Sequence, residues 1–228
     1  MADALTAELA TIRPVTADAI IVAAGGSSRM GGPDKLYARL AGRPLLEWSL
    51  ATIAAVPGIR HIVLVVAPGR EAEAAALLPD RTATVVVGGS HRGASVEAGF
   101  RALEAVWAAA GAGNADEDPV VLVHDGARPL LSGGLVTAVA AAVAEHGAAL
   151  PVVPVTDTLK RVEDGRIGAT VDRSDLVAAQ TPQGARASLF RRALAAYPAA
   201  GATRFTDEAA LLEACTIPVH PIPGDPVN

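Results

Sequence analysis

AIIVAAGGSSRMGGPDK, residues Ala19–Lys35, passes from an apolar segment into a glycine turn and then to two cations. Ala19–Ala23 has the length and character of a strand buried on both faces. At Gly25-Gly26-Ser27-Ser28 small side chains let the backbone turn tightly and approach a ligand closely. Successive N–H groups in such a turn form an anion-binding nest. Arg29 and Lys35 bring positive charge to the same loop. The combination suits a site for several phosphates, although neither G-x-x-x-x-G-K-[ST] nor G-x-G-x-x-G is present. A strand followed by an ordinary surface loop is the competing reading, and the glycines alone do not separate the two.

The rest of the chain bounds what that site can be. Its 228 residues suffice for one α/β domain with a sizeable core. Apolar residues make up 51% but aromatics only 3%, so the core is expected to pack small side chains closely. A formal charge of −5 excludes a general basic footprint for nucleic acid, so a polyanion must be held by a few local cations. The single Cys215 excludes an internal disulfide and a cysteine-rich metal site. No run reaches the roughly 18 apolar residues of a membrane span. The acidic, non-basic start does not read as a signal peptide, so a cytoplasmic location with no membrane partner is the expectation.

Moving outward, residues 1–18 read as an N-terminal extension and 19–228 as the domain. Helices are expected over Leu45–Ala55, Glu71–Leu78, Ala94–Ala110, Leu135–Glu145 and Ala187–Tyr197, with a short one opened by a cap at Thr206 or Asp207. Strands are expected at His61–Ala67, Thr84–Val87, Val120–Val123 running to His124-Asp125, Ala148–Val153, and an edge segment Ile217–Pro223. This alternation predicts a three-layer, mostly parallel, Rossmann-like α/β sheet. After Pro154 the pattern changes, and residues 155–183 read as a two-stranded β-arm turning at Asp164-Gly165. An isolated hairpin is marginal in water, so the arm is expected to lie against another subunit.

Ligands of open α/β sheets bind beyond the carboxyl ends of the strands. Four loops should meet there: Ala24–Lys35, Gly88–Ser95, His124–Arg128 and Asp157–Lys160. Asp125 can hold a Mg²⁺ that also touches phosphate oxygens, or can simply cap a turn. His124 reads as a packed strand-end residue rather than a catalyst. Arg128 suits an anion or a brace for Asp125, and Ser95 a helix cap or a donor to a nucleotide. Of 19 basic residues only Lys35 and Lys160 are lysine, and both fall in these loops, which favours a compact point charge there.

These residues also carry a resemblance. AAGGSSRMGGPDK followed by LAGRPLLEWSL resembles the opening of sugar-nucleotide pyrophosphorylase-like nucleotidyltransferases, and by itself is much like molybdenum-cofactor guanylyltransferases. VHDGARP (Val123–Pro129), PVTDTLKR (Pro154–Arg161), TVDRSDL (Thr170–Leu176), QTPQ (Gln180–Gln183) and TDEA (Thr206–Ala209) resemble 2-C-methyl-D-erythritol 4-phosphate cytidylyltransferases in order and spacing. Ribitol 5-phosphate cytidylyltransferases share part of this set but typically lack the lysine matched by Lys160. Two departures stand out: Asp34 intervenes between Pro33 and Lys35, and Gly126 replaces the usual alanine.

The resemblance implies transfer of CMP from CTP to 2-C-methyl-D-erythritol 4-phosphate, with a ribitol 5-phosphate or molybdopterin acceptor as the alternative. A nucleotide-binding regulatory protein without turnover is the rival of another class. It also implies roles. Arg29 and Lys35 would act catalytically on the triphosphate. Ala23, Ala24, Gly25, Gly26, Gly88, Gly89 and Ser95 would line the nucleotide site, and Asp125 would bind Mg²⁺. Arg128, Asp157, Thr158, Lys160, Arg173, Thr181 and Thr206 would shape the sugar-phosphate site, with Arg173 serving a homodimer partner across the β-arm. The family continues past the segment matching Gly224-Asp225-Pro226 into a strand bearing a further lysine and a closing helix. A chain ending at Asn228 is therefore expected to be a shortened form.

Overall fold

The computed structural model describes residues 15–25, 35–78, 83–110, 118–197 and 205–228. Strand β1 (Ala17–Ala23) is followed by a short ribbon of β2 (Arg39–Leu40) and β3 (Arg43–Pro44), which leads into helix α1 (Leu45–Ala55). Then come β4 (Ile59–Val66), α2 (Glu71–Ala75), β5 (Ala83–Val87), α3 (Arg92–Ala109), β6 (Val120–Asp125), α4 (Gly133–His146) and β7 (Ala148–Pro154). The remaining elements are β8 (Lys160–Glu163), β9 (Arg166–Thr170), β10 (Val177–Ala179), β11 (Gln183–Arg186), α5 (Ala187–Ala196), α6 (Glu208–Ala214) and β12 (His220–Pro223).

The main sheet runs β5-β4-β1-β6-β11-β7. Its first four strands are parallel, whereas β11 is antiparallel to both neighbours. β12 pairs with the other edge of β7, in parallel. β10 and β11 form one antiparallel line along β7, interrupted at residues 180–182, where the Gln180 N–H still donates to the Pro151 carbonyl. Successive residues of β1 feed opposite cores: Ile21 joins the α1 and α4 layer, Ile20 the α3, α5 and α6 layer. The aromatic content is concentrated in the second layer, where Phe100 touches both Trp107 and Phe190. Helix α1 buries Leu46, Leu50, Ile53 and Ala54, one stripe at helical spacing. This is the three-layer, mostly parallel α/β architecture expected.

Helix α2 stops at Ala75, short of the expected Leu78, and two larger boundaries also differ from the sequence reading. β1 begins at Ala17, and Asp18, expected in the extension, is fully buried. It accepts hydrogen bonds from Arg60 (2.7 Å) and the Trp107 indole (2.8 Å) and lies 3.1 Å from His61 Nδ1. The arm is also shorter than 155–183, because Val177–Ala179 already pair with β7 and Gln180–Gln183 are buried in the sheet. The protruding part is the β8–β9 hairpin, a separate two-stranded sheet. Its turn lies at Asp164 (φ 49°) and Gly165 (φ 73°), the pair of positive φ values that a two-residue hairpin of the I′ kind requires. Among the described residues no helix is long and apolar enough to cross a membrane.

Candidate active site

Strand register assembles the site. Val22 lies opposite Asp125, Ala23 opposite Val66, and Val66 opposite Val87, so four strands end along one edge. The loops leaving these ends touch. A Cβ on Gly88 would sit 2.4 Å from the Ala24 Cβ and 2.7 Å from Ser95 Oγ, so glycine is what lets the three segments meet. Ser95 is buried in the first turn of α3, and its hydroxyl donates to the His91 carbonyl (3.1 Å). The cap itself is His91, whose Nδ1 accepts from the Ala94 N–H.

The reversed strand β11 brings residues 180–183 to the same edge. The Thr181 hydroxyl accepts from the Asp125 N–H (3.3 Å) and lies 2.9 Å from His124 Nδ1. His124 Nε2 is 3.3 Å from the Arg128 carbonyl. One tautomer serves every group: Nε2–H donates to that carbonyl, and Nδ1 accepts the Thr181 proton. Burial holds the imidazole down at about 4, which keeps it neutral, as a structural strand-end residue must be.

Two residues not singled out in the sequence stand at the centre. Arg92 donates to Asp125 Oδ1 through Nε (3.2 Å) and Nη2 (3.0 Å). The same guanidinium donates to both oxygens of Glu208, to Oε1 through Nη1 and to Oε2 through Nη2 at 3.0 Å. Burial alone would lower the Arg92 pKa, but Glu208 and then Asp125 outweigh it and raise it. For Glu208, burial pushes the carboxyl up against the pull of Arg92. Arg128 Nε approaches Asp125 Oδ2 at 3.7 Å, a bracing contact on the outer side.

Of the other expected residues, Ala23, Ala24, Gly25, Gly88 and Gly89 lie at this edge; Gly26 and Arg29 fall outside the described residues. Lys35 is exposed. Asp157 and Thr158 are exposed just after β7. Lys160 lies on the hairpin, donating to Thr170 Oγ1 (2.6 Å), and Arg173 donates to the Thr156 carbonyl of its own arm. Thr206 is exposed, and the α6 cap is Asp207, which accepts from the Ala210 N–H (2.9 Å). A Mg²⁺ fits the donor set only with help from a ligand. Asp125 offers one carboxylate, 34% exposed, and no group of three acidic or imidazole side chains suited to a metal occurs among the described residues. Magnesium commonly uses one or two carboxylates together with substrate phosphates, and Asp125 meets that requirement.

The His124 environment makes stability depend on pH. A neutral folded imidazole and an unfolded one titrating near 6.5 mean that the unfolded chain gains the proton first. Stability should therefore be full above pH 7 and fall as pH drops through 6.5 towards 4, by at most about 3 kcal/mol. Urea unfolding of His124→Gln should show a flatter profile than wild type between pH 7 and 5. Parallel profiles would remove His124 as the cause.

Residues 17–228 match the family described as 2-C-methyl-D-erythritol 4-phosphate cytidylyltransferase, IspD. A bifunctional IspD/IspF enzyme of Rhodospirillum rubrum is 43% identical over 203 residues, covering 86% of this chain and 48% of that protein. The chain spans about half the length of the bifunctional relatives it matches. A 2-C-methyl-D-erythritol 4-phosphate cytidylyltransferase of Frankia casuarinae is 41% identical over 209 residues, 90% of this chain and 73% of that one. The crystal structure of the enzyme of that name from Thermus thermophilus superposes with a TM-score of 0.73 at 34% identity, covering 93% of this chain and 91% of its own.

Proposed function

We infer the activity from one premise: this chain belongs to the 2-C-methyl-D-erythritol 4-phosphate cytidylyltransferase family. It transfers CMP from CTP to 2-C-methyl-D-erythritol 4-phosphate, a step of isoprenoid synthesis, giving 4-diphosphocytidyl-2-C-methyl-D-erythritol and pyrophosphate. The observation that carries this reading is the convergence of Ala24, Gly88 and Ser95 beside Asp125 at the carboxyl edge of the sheet.

The chemistry needs no general base. A phosphate monoester, with its second pKa near 6, is largely dianionic at neutral pH. One of its oxygens attacks the α-phosphorus, the new O–P bond forms, and the bond to the β-phosphate oxygen breaks with its electron pair leaving on pyrophosphate. The protein's share is to align two polyanions and offset the developing charge. Lys35, with Arg29, supplies cations to the triphosphate. Gly88, Gly89 and Ser95 hold the nucleoside, and Arg128, Thr158 and Lys160 serve the acceptor. Thr181, buried with its hydroxyl engaged by His124 and the Asp125 N–H, shapes that site from behind and does not touch the acceptor itself. Asp125 would hold Mg²⁺, whose positive charge would draw triphosphate oxygens to this edge. A cytoplasmic location accords with CTP as substrate.

Pyrophosphate release measured for CTP and the other nucleoside triphosphates, each with methylerythritol, ribitol or molybdopterin acceptors, tests the assignment. Turnover is expected with CTP and methylerythritol phosphate. Preference for another pair, or binding without release, would overturn it.

The hairpin supports a homodimer. Val162 and Ile167 are cross-strand partners, 67% and 71% exposed, on an arm that contributes to neither core among the described residues. A second subunit would cover them, and Arg173 would then serve the neighbour's acceptor. Mixing Arg173→Ala with Arg29→Ala chains should restore activity through heterodimers with one intact site. A monomer in solution, or no recovery in verified heterodimers, would defeat this.

A further inference from the structure

One guanidinium is shared by two carboxylates of unlike exposure: the Asp125 side chain is 34% exposed and Glu208 only 3%. We propose that Glu208, acting through Arg92, keeps the negative charge of Asp125 available to a divalent cation. It is a positioning residue for the nucleotide-binding edge, and the inference rests on the Mg²⁺ reading given above.

The electrostatics follow from the contacts. Both Glu208 oxygens accept from donor-only guanidinium nitrogens, the arrangement of an ionised carboxylate in a charge-assisted pair. Two carboxylates around Arg92 leave one negative charge in excess on that guanidinium. The second cation near Asp125, Arg128, stands back at 3.7 Å and is 35% exposed, so it can turn to solvent or to a phosphate when a cation binds. Glu208 is sealed from solvent, so a hydrated cation can meet that excess only at Asp125. Without the Glu208 charge, Arg92 would belong to Asp125 alone, and the pair would be neutral where a dication must bind. Arg92 would then compete with the metal instead of orienting its ligand.

Glu208 is also held firmly enough to do this. Gln183 on β11 accepts the Ala209 N–H through Oε1 (2.9 Å) and donates to Asp207 Oδ2 (3.1 Å), fastening the residues on either side of Glu208 to the sheet. Asp125 is fixed from the same stretch, where Thr181 receives its N–H. Arg92 thus bridges two carboxylates that are both referenced to residues 181–183.

The test uses Mn²⁺ as a paramagnetic probe, titrated into the full chain with a non-hydrolysable CTP analogue and followed by electron paramagnetic resonance. Glu208→Gln should weaken Mn²⁺ binding by about tenfold. Arg92→Met/Glu208→Gln removes one charge of each sign and should return the affinity to within about threefold of wild type. A purely structural role predicts the reverse, since the double variant loses more contacts. Wild-type affinity in Glu208→Gln, or a double variant at least tenfold weaker than wild type, would overturn the proposal. The second criterion stands even where Glu208→Gln does not fold. Asp125→Asn distinguishes the two levels: unchanged Mn²⁺ affinity there would sink the metal reading and this inference together. Loss in Asp125→Asn with no change in Glu208→Gln would sink this inference alone.

Discussion

Lys35→Ala is expected to lower kcat by about 10²–10³ while leaving the unfolding midpoint unchanged. The side chain is exposed and contributes nothing to the core. Its neighbour Leu36 is buried, with its carbonyl accepting from the Leu46 N–H at 3.0 Å, so the loop end stays anchored without the lysine. On the proposed assignment, what disappears is a compact cation beside phosphates whose charge shifts towards the leaving group. Such a group acts mainly in the transition state, so the loss should fall on kcat more than on KM. Arg29→Ala is expected to behave alike, on the strength of the family resemblance. Pyrophosphate release at saturating CTP and acceptor is the measurement, and a wild-type rate in Lys35→Ala would end its catalytic assignment.

The largest effect on stability should come from Asp18→Ala. Its carboxylate is wholly buried at the amino end of β1 and receives hydrogen bonds from Arg60 and Trp107, with His61 in reach. Arg60 and His61 keep 30% and 22% exposure and can turn back to water, but the Trp107 indole N–H is held in the core. Truncation thus leaves one buried donor unpaired, adds a small cavity and removes the ion pair, together about 3 kcal/mol. That is a large part of the stability of an ordinary domain. Urea unfolding should show it as a lowered midpoint at constant slope. Asp18→Asn, which retains an acceptor, should cost less, and a loss below about 1 kcal/mol in Asp18→Ala would show that the network is ornamental.

The parallel strands are legible because strands buried on both faces read as unbroken apolar runs, as in IVLVV (Ile62–Val66) and VVLV (Val120–Val123). Asp18 escapes for the same reason: a charged residue before an apolar run looks like solvent-facing chain until Arg60 and Trp107 are seen around it. The hairpin turn is legible from Asp164-Gly165, but the end of the arm is not. Val177–Ala179 are exposed, and only their pairing with β7 assigns them to the sheet. Asp125 can be picked out by its place at a strand end. Arg92 and Glu208 cannot, because each sits in the first turn of its helix, where charged residues are commonplace, and they are 116 residues apart. Their partnership exists only after β11 has brought the two helices to one edge.

The placement of β11 has a consequence for the order in which the chain can assemble. Among the described strands, those within residues 17–125 and those beyond residue 147 are joined through this four-residue strand alone, which pairs with β6 on one side and β7 on the other. β4, β5 and β6 each pair with a strand already made, whereas β7 pairs only with strands that follow it. β11 needs two docking edges, one some 60 residues before it, and loop closure over that distance must precede any reward from the contacts. The seam is therefore a late join, followed on the sheet only by the pairing of β12 with β7 among the described strands. Because Thr181 lies just before β11 and Gln183 opens it, the chain acquires its Asp125 environment in the same event that locks the two halves together. Before β11 docks, the parallel strands of residues 17–125 present β6 as an open edge; docking closes that edge and brings Thr181 to Asp125 in a single step, while β5 remains an edge strand of the finished sheet.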